Sequence, residues 1–390
     1  MSEAPKVYGW CPGALRPMMS GDGLVVRIRA PLGRLSPDQA RGVAALSTRL
    51  GNGVLDLSAR GNLQMRGVRE DDHAALIAAL QALGLVDTDA GAEARRNVLL
   101  TPFWTEGDLS HRIAQQLSDA LTAASDLTLP GKFGFTVDCG AAPVLSDAAA
   151  DIRIERNPVQ DGPGLLLLAD GADMGLVVSE DSVVAEALSL ARWFLAHGGA
   201  PEGRGRMHRL IARRGAPASH SANRAISASQ PAPGQTASGQ LVALEFGQIP
   251  AQTLAALADL GALRLTPWRM LLLESQALLP ALPGLILDAA DPRLRVRACT
   301  GMPGCLQAHA QTRPLARRLA AQVPPGKTLH VAGCAKGCAH PTATDLTLVA
   351  CATGDFDLIR LGKASDPPLE TSLSADDICL TPEHFDKGQP

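Results

Sequence analysis

The 390-residue chain reads as an α+β protein made of two similar halves. A strand, a helix and a second strand follow one another in the same order from Gly23 and again from Leu241, the mark of an internal duplication. A longer stretch of alternating helical and extended patterns follows each opening. Between the halves, Gly215 to Gln240 is rich in Ala, Ser, Gly, Pro and Gln and almost free of large apolar residues. Such a segment cannot nucleate a core and reads as a flexible linker.

In the first half, GLVVRIRA (Gly23 to Ala30) is a strand, and Ser36-Pro37-Asp38-Gln39 has the form of a capping box with proline at the first helical position. Val43, Leu46 and Leu50 then form a helical apolar stripe, and Val54 to Val68 returns as a strand pair or a strand and loop. Helices are expected from about Asp72 to Leu83, Ser110 to Ala124, Ser182 to Ala196 and Gln307 to Val323. Strands are expected at Gly134 to Val137, Leu165 to Ala169, Gly175 to Val178, Leu329 to Val331 and Leu346 to Ala350. The second half opens with the strand LVALEFG (Leu241 to Gly247). A helix follows, starting near Pro250, carrying Leu254, Leu257 and Leu260 on one face and stopping at Gly261. Leu263 to Glu274 is then read as a strand. From about Lys363 the pattern loses its periodicity, which suggests a surface extension.

Composition narrows the class. Hydrophobic content is 46%, net charge is −3 and the pI is near 6.3, so there is no basic field for nucleic acid. Apolar runs fall short of the roughly 18 to 20 residues of a bilayer span, and MSEAPKVYGW lacks the apolar stretch of a signal peptide. A soluble, cytoplasmic protein without a membrane or nucleic-acid partner is expected. Eight cysteines in so long a chain do not suggest a disulfide scaffold. Cys11, Cys139, Cys351 and Cys379 share no spacing and read as small core or surface residues.

The other four cysteines are the most informative feature. Cys299 and Cys305 form C-x5-C and Cys334 and Cys338 form C-x3-C, set in the turns ACTGMPGC and VAGCAKGC. Thiolates are soft ligands, and a cubane iron–sulfur cluster needs four of them converging. Gly301, Gly304, Gly333 and Gly337 allow the tight backbone that such convergence requires. Zinc remains the rival, although its sites favour shorter, more regular spacers.

Arg60, Asn62, Gln64 and Arg66 alternate in SARGNLQMRG, which on an extended chain puts all four on one face. Such a rake suits an anionic or amide-rich ligand, since the arginine fork matches carboxylates. A solvated strand face accounts for the same alternation. Arg96 and Asn97 in ARRNVLLTP and Lys132 in LPGKFGFTV are weaker signals by themselves.

DGLVVRIRA, LSARGNLQMRG, ARRNVLLTP, LPGKFGFTV and the two cysteine motifs occur in the order found in the sirohaem-dependent nitrite and sulfite reductases, which the chain resembles from about Trp10 to Leu361. The resemblance implies the internally duplicated nitrite/sulfite reductase fold, with ferredoxin-like half-domains over 10–85 and 241–290. It places α/β lobes at 90–214 and 291–365, the latter binding the cluster, a linker at 215–240 and a tail at 366–390. It also implies a [4Fe–4S] cluster on Cys299, Cys305, Cys334 and Cys338, the last bridging to sirohaem iron. The anion-binding bases of those enzymes match Arg60, Arg96 and Lys132.

One departure bears on function. The reductases carry a second lysine two residues after the first, and here that position is Gly134. The opening WCPGALRPMMSGDGL, the LPGKFGF variant and LRLTPWR instead resemble the precorrin-3B synthase family, an offshoot of this fold in aerobic cobalamin biosynthesis. That resemblance implies a monooxygenase that uses O2 to hydroxylate C20 of precorrin-3A and closes a γ-lactone from the ring A acetate. It implies a [4Fe–4S] cluster, a mononuclear non-haem iron and an electron donor, either NADH or a reductase. The substrate's carboxylates would fall to Arg60, Asn62, Gln64, Arg66, Arg96, Lys132 and Arg269, with Arg16, Arg27 and Arg29 nearby. His309, His340 and His208 are candidates for the second iron, and each reads equally as a structural or surface histidine. A sirohaem-dependent reductase and a non-catalytic tetrapyrrole carrier stay open as alternatives.

Overall fold

Ser36 opens the first long helix with the reciprocal pairing its sequence suggests. Its Oγ accepts the Gln39 N–H at 3.2 Å and the Gln39 Oε1 accepts the Ser36 N–H at 2.9 Å. Around that helix, the computed structural model describes residues 12–87, 89–157, 164–224 and 227–385. Trp10 and Cys11 lie outside them.

The first half-domain runs β1 (Met18–Ser20), β2 (Gly23–Ile28), β3 (Arg34–Leu35), α1 (Pro37–Leu50), β4 (Val54–Leu57), β5 (Leu63–Val68) and α2 (His73–Ala82). Alternation splits its sheet into two faces. Val26, Ile28, Leu55, Leu63 and Met65 pack with Val43 and Leu46 of α1 in the core. On the other face Arg27 stands opposite Gln64, and Gln64 opposite Asp56.

The first α/β lobe follows with α3 (Ala90–Arg95), β6 (Val98–Leu100), α4 (Leu109–Ala123), β7 (Phe135–Asp138), β8 (Ile152–Arg156), β9 (Leu165–Ala169), β10 (Met174–Val178), α5 (Val183–Ala196), α6 (Met207–Arg214) and β11 (Ala222–Asn223). Its sheet has the order β11-β10-β9-β8-β7-β6, with β6, β7 and β8 parallel and the rest antiparallel. The stretch 215–240, expected as a flexible linker, is partly built into sheets. Ala222 and Asn223 pair with β10, and β12 (Gly234–Thr236) pairs with the next strand.

That next strand is β13 (Gly239–Leu244), followed by β14 (Gln248–Pro250), α7 (Ala251–Ala258), β15 (Leu263–Leu265), β16 (Met270–Leu273) and β17 (Leu285–Ile286). Leu263 to Glu274, expected as one strand, is a hairpin whose reversal ends at Arg269 (φ 59°). The duplication is close enough to exchange strands. The first sheet, β1-β2-β5-β4-β14, is completed by a strand from the second half; the second, β12-β13-β16-β15-β3, is completed by one from the first. Both crossings leave through the same kink, a left-handed residue before a left-handed glycine, Leu32-Gly33 in one and Phe246-Gly247 in the other. Helices α1 and α7 bury Val43, Leu46, Leu254 and Leu257 in one shared core.

The second lobe contains β18 (Val296–Ala298), α8 (Arg313–Leu319), β19 (Leu329–Ala332), β20 (Thr344–Ala350), β21 (Phe356–Gly362), β22 (Glu370–Leu373) and α9 (Pro382–Phe385). Its first three strands are parallel, as in the first lobe. Two expectations are corrected here. The helix expected from Gln307 begins only at Arg313, because 307–312 continues the loop after Cys305 and carries Thr312, whose hydroxyl donates to the Cys299 carbonyl at 2.7 Å. The tail is no surface extension, since β22 extends the sheet and Ile378, Leu380 and Phe385 are buried in the lobe's core.

Candidate functional site

Cys299 directly follows β18, so the sheet fixes where the first cysteine loop begins. Gly301 (φ 70°) and Gly337 (φ 56°) make the turns of the two loops in a conformation that L side chains rarely adopt. A Cβ on Gly301 would also come within 2.7 Å of Thr312. The Ala339 N–H points at the Cys299 sulfur at 3.4 Å, and the His330 Nε2 lies 3.7 Å from the same atom. Burial pushes the Cys299 thiol up, against the backbone N–H groups of Ala339 and Gly333. The Cys338 thiol opens to solvent, yet the protein around it and then Cys299, Cys334 and Cys305 push it up to about 11. The two cysteine loops lie side by side, the His309 N–H of the first donating to the Gly333 carbonyl of the second at 2.9 Å. Burial and the nearby His340 hold His330 down to about 4, so its ring is neutral at physiological pH.

Among the described residues, no group of three or more His, Cys, Asp or Glu could hold a metal ion. A single ion draws its ligands to one point, whereas each thiolate of a cubane binds a different iron, so the four stand farther apart. Four neighbouring thiols with backbone N–H groups aimed at sulfur fit a cluster better than zinc.

The polar face of the first half-domain meets these loops. Arg66 on β5 donates to Asp22 (2.8 and 3.0 Å), to Asp56 (3.4 Å) and to the carbonyl of Gly304, the residue before Cys305. From the lobe, Arg313 donates to the other Asp56 oxygen at 3.0 Å. Further along the face, Arg27 and Arg29 are only 5% and 7% exposed, with the Arg27 Nε and the Arg29 Nε and Nη1 buried without a partner. Burial and then the Arg27 charge lower Arg29 to about 10. Across the loops, Arg269 donates to the Ala339 carbonyl at 2.8 Å and keeps a buried Nη1 without a partner; burial lowers it to about 10.

The sequence-predicted rake is not one face. Arg60 and Asn62 belong to the turn between β4 and β5, where Asn62 donates back to the Arg60 carbonyl at 3.0 Å, so only Gln64 and Arg66 lie on the strand. Arg66 is a buried clamp between two carboxylates and a cysteine loop, which removes it from the ligand-facing set. Arg96 is ion-paired with Asp87 at 2.5 Å and donates to the Arg29 carbonyl at 3.5 Å. Lys132 is exposed in the turn before β7. At Gly134 a Cβ would stand 2.6 Å from the Asn97 amide nitrogen, so a second lysine there would displace the Asn97 side chain from the Phe133 carbonyl it donates to at 2.8 Å. His309 is exposed, His340 bonds Thr342 at 2.9 Å, and His208 pairs with Asp170 at 3.3 Å; they do not converge.

Arg297, Arg313, Asp56 and His330 were not singled out from sequence. Arg297 was within reach, since it precedes Cys299 by two residues on an extended segment and so shares its side.

Comparison with known proteins agrees with this architecture. Residues 16–83 match the nitrite/sulfite reductase ferredoxin-like half domain. The chain is 29% identical to a precorrin-3B synthase from Sinorhizobium sp over 92% of its own length and 84% of that protein. It is 32% identical over 135 residues to a ferredoxin–nitrite reductase from Synechococcus elongatus, 32% of this chain and 26% of that one. The structure of Mycobacterium tuberculosis NirA protein superposes with a TM-score of 0.65 at 20% identity, covering 91% of this chain and 78% of that one. The chain is thus a relative of precorrin-3B synthase built on the nitrite/sulfite reductase-like fold with its ferredoxin-like half domains.

Proposed function

We propose that the chain is itself a precorrin-3B synthase, a cytoplasmic oxidoreductase that hydroxylates C20 of precorrin-3A with O2 and forms the ring A acetate γ-lactone. One oxygen atom enters the product and the other leaves as water, with two electrons from a donor, NADH or a reductase. The observation that carries this reading is the set of buried guanidinium N–H groups without partners on Arg27 and Arg29 of the half-domain face and on Arg269, which contacts the second cysteine loop through the Ala339 carbonyl. A buried, unpaired charge is costly, and it persists where a ligand of opposite sign completes it. A macrocycle rich in carboxylates is such a ligand.

Cys299, Cys305, Cys334 and Cys338 would hold a [4Fe–4S] cluster, which when bound supplies single electrons. The chain's own residues bind and orient: Arg27 and Arg29 take carboxylates on the half-domain face, and the clamp through Arg66 holds the Cys305 loop against that face. The described residues do not fit a mononuclear iron, given that no three ligating side chains gather among them, so no step is assigned to one.

A sirohaem-dependent reductase is the second reading, favoured by the likeness to the Synechococcus enzyme and opposed by glycine at 134, where Asn97 takes the place beside the backbone. Anaerobic purification with iron and sulfide analysis, then incubation with precorrin-3A under isotopically labelled dioxygen, separates the two. Label in a lactonised product supports the synthase; an intense resident sirohaem band with no labelled product supports the reductase.

A further inference from the structure

We propose that the pocket between the second half-domain and the cluster lobe is a receptor for a carboxylate on an apolar stem, with Arg269 and Arg297 as its anion-binding pair. The pocket has a volume of about 220 Å³. That is below the roughly 300–1,000 Å³ of sites that enclose whole small molecules, so it suits one arm of a ligand. Trp268, Met270, Ile286 and Leu294 give it apolar walls; of the three arginines in its lining, Arg293 is paired with Glu245 and Asp291, which leaves Arg269 and Arg297 to supply charge to a ligand.

Neither arginine has a carboxylate within hydrogen-bond distance among the described residues, although Cys299 and Asp56 lie close enough to Arg269 to favour its charge. Among the described residues Arg297 makes no hydrogen bond or ion pair, and Arg269 has only the Ala339 carbonyl. The acids nearby are already engaged. Asp56 is held by Arg66 and Arg313, Glu245 by Arg293 and Arg317, and Asp291 by Arg293. Arg269 also sits at φ 59°, a conformation a long side chain keeps only where its surroundings hold it there. Two neighbouring arginines without a carboxylate partner in the lining of an apolar slot match a carboxyethyl or carboxymethyl group, with the acid on the guanidiniums and the methylenes along the walls.

Assigning that acid to a side arm of the substrate rests on the tetrapyrrole reading above. A free short-chain acid has the same chemistry, so two probes are used with the full chain: uroporphyrin III, an octacarboxylate porphyrin, and propionate. With Arg297→Met, uroporphyrin binding is expected to weaken on the order of tenfold to a hundredfold, the loss of one charge-assisted contact. The same variant is expected to melt higher than wild type, because it removes a half-buried charge that has no partner in the protein; a structural role for Arg297 would lower the midpoint. Arg297→Lys should recover part of the affinity.

Wild-type uroporphyrin affinity in Arg297→Met, with binding still weakened by Arg29→Gln, overturns the pocket and leaves the tetrapyrrole reading standing. Propionate binding that depends on Arg297, with no uroporphyrin binding by any form, supports the pocket and moves its ligand to a free acid. If wild type binds neither probe, the proposal is overturned.

Discussion

Arg66 donates a hydrogen bond to the carbonyl of Gly304, so a strand of the first half-domain holds the residue next to Cys305 in the second lobe. Ser20 reinforces the contact, its hydroxyl donating to the same carbonyl at 2.6 Å. Removing Arg66 leaves the half-buried Asp22 with only the Asn52 amide and takes one of two arginines from the buried Asp56, which keeps Arg313 and Gln248. Arg66→Met should therefore lower stability by about 3 kcal/mol, the low end for a broken buried pair, as read from the urea midpoint. It should also shorten the lifetime of a reconstituted cluster against a chelator, and a lifetime equal to wild type would refute the positioning role.

Cys334→Ser should abolish cluster assembly and any activity together, because the proposed cluster would lose one of its four thiolates. Iron and sulfide analysis with the visible spectrum checks this. A full complement of both in the variant would remove Cys334 from the ligand set.

Acid should loosen the contacts between domains. Burial opposes ionisation of Glu245 and Glu274, yet Arg317 with Arg293, and Arg34 with Arg264, outweigh it and hold both carboxyls below the usual range. A depressed folded pKa gives stability that is present above the unfolded value of about 4.3 and lost as pH falls through the folded one. Asp138 and Asp151 shift upwards by burial and so act in the opposite sense. Wild type should thus lose more stability between pH 6 and pH 3 than Glu245→Gln or Glu274→Gln, each of which starts lower. Parallel urea curves across that range for all three proteins would contradict this.

The halves should not fold alone. Produced separately, residues 12–214 and 227–385 each lack the exchanged edge strand and the opposing helix of a shared core. Each is expected to melt without cooperativity, and mixing should restore a sharp transition by circular dichroism. A cooperative melt from either half by itself would show that the exchange is dispensable.

Much of this architecture was legible where local chemistry and tertiary structure agree. Ser36 and Gln39 mark the start of α1, and α2, α4 and α5 lie within a residue of their expected ends, because apolar periodicity decides them, helped by a side-chain cap at α1 and α4. Strand β8 escaped notice: in IRIER the charges of Arg153 and Glu155 look solvated, but both are buried against Asp170 and Arg224. The exchange was hidden because β3 and β14 are two and three residues long, too short to show a period. At the site, the cysteine motifs announced themselves, whereas the roles of Arg66 and Arg297 depend on what lies across an interface. One is fully engaged and the other has nothing opposite it, and no spacing records that difference.

The crossed strands have a consequence for ancestry and for engineering. A solitary half with this layout would expose an open sheet margin that an identical twin could fill, so the present chain has the geometry of a homodimer fused end to end. Neither copy can be trimmed away as redundant, and a graft between relatives should carry both crossing segments together.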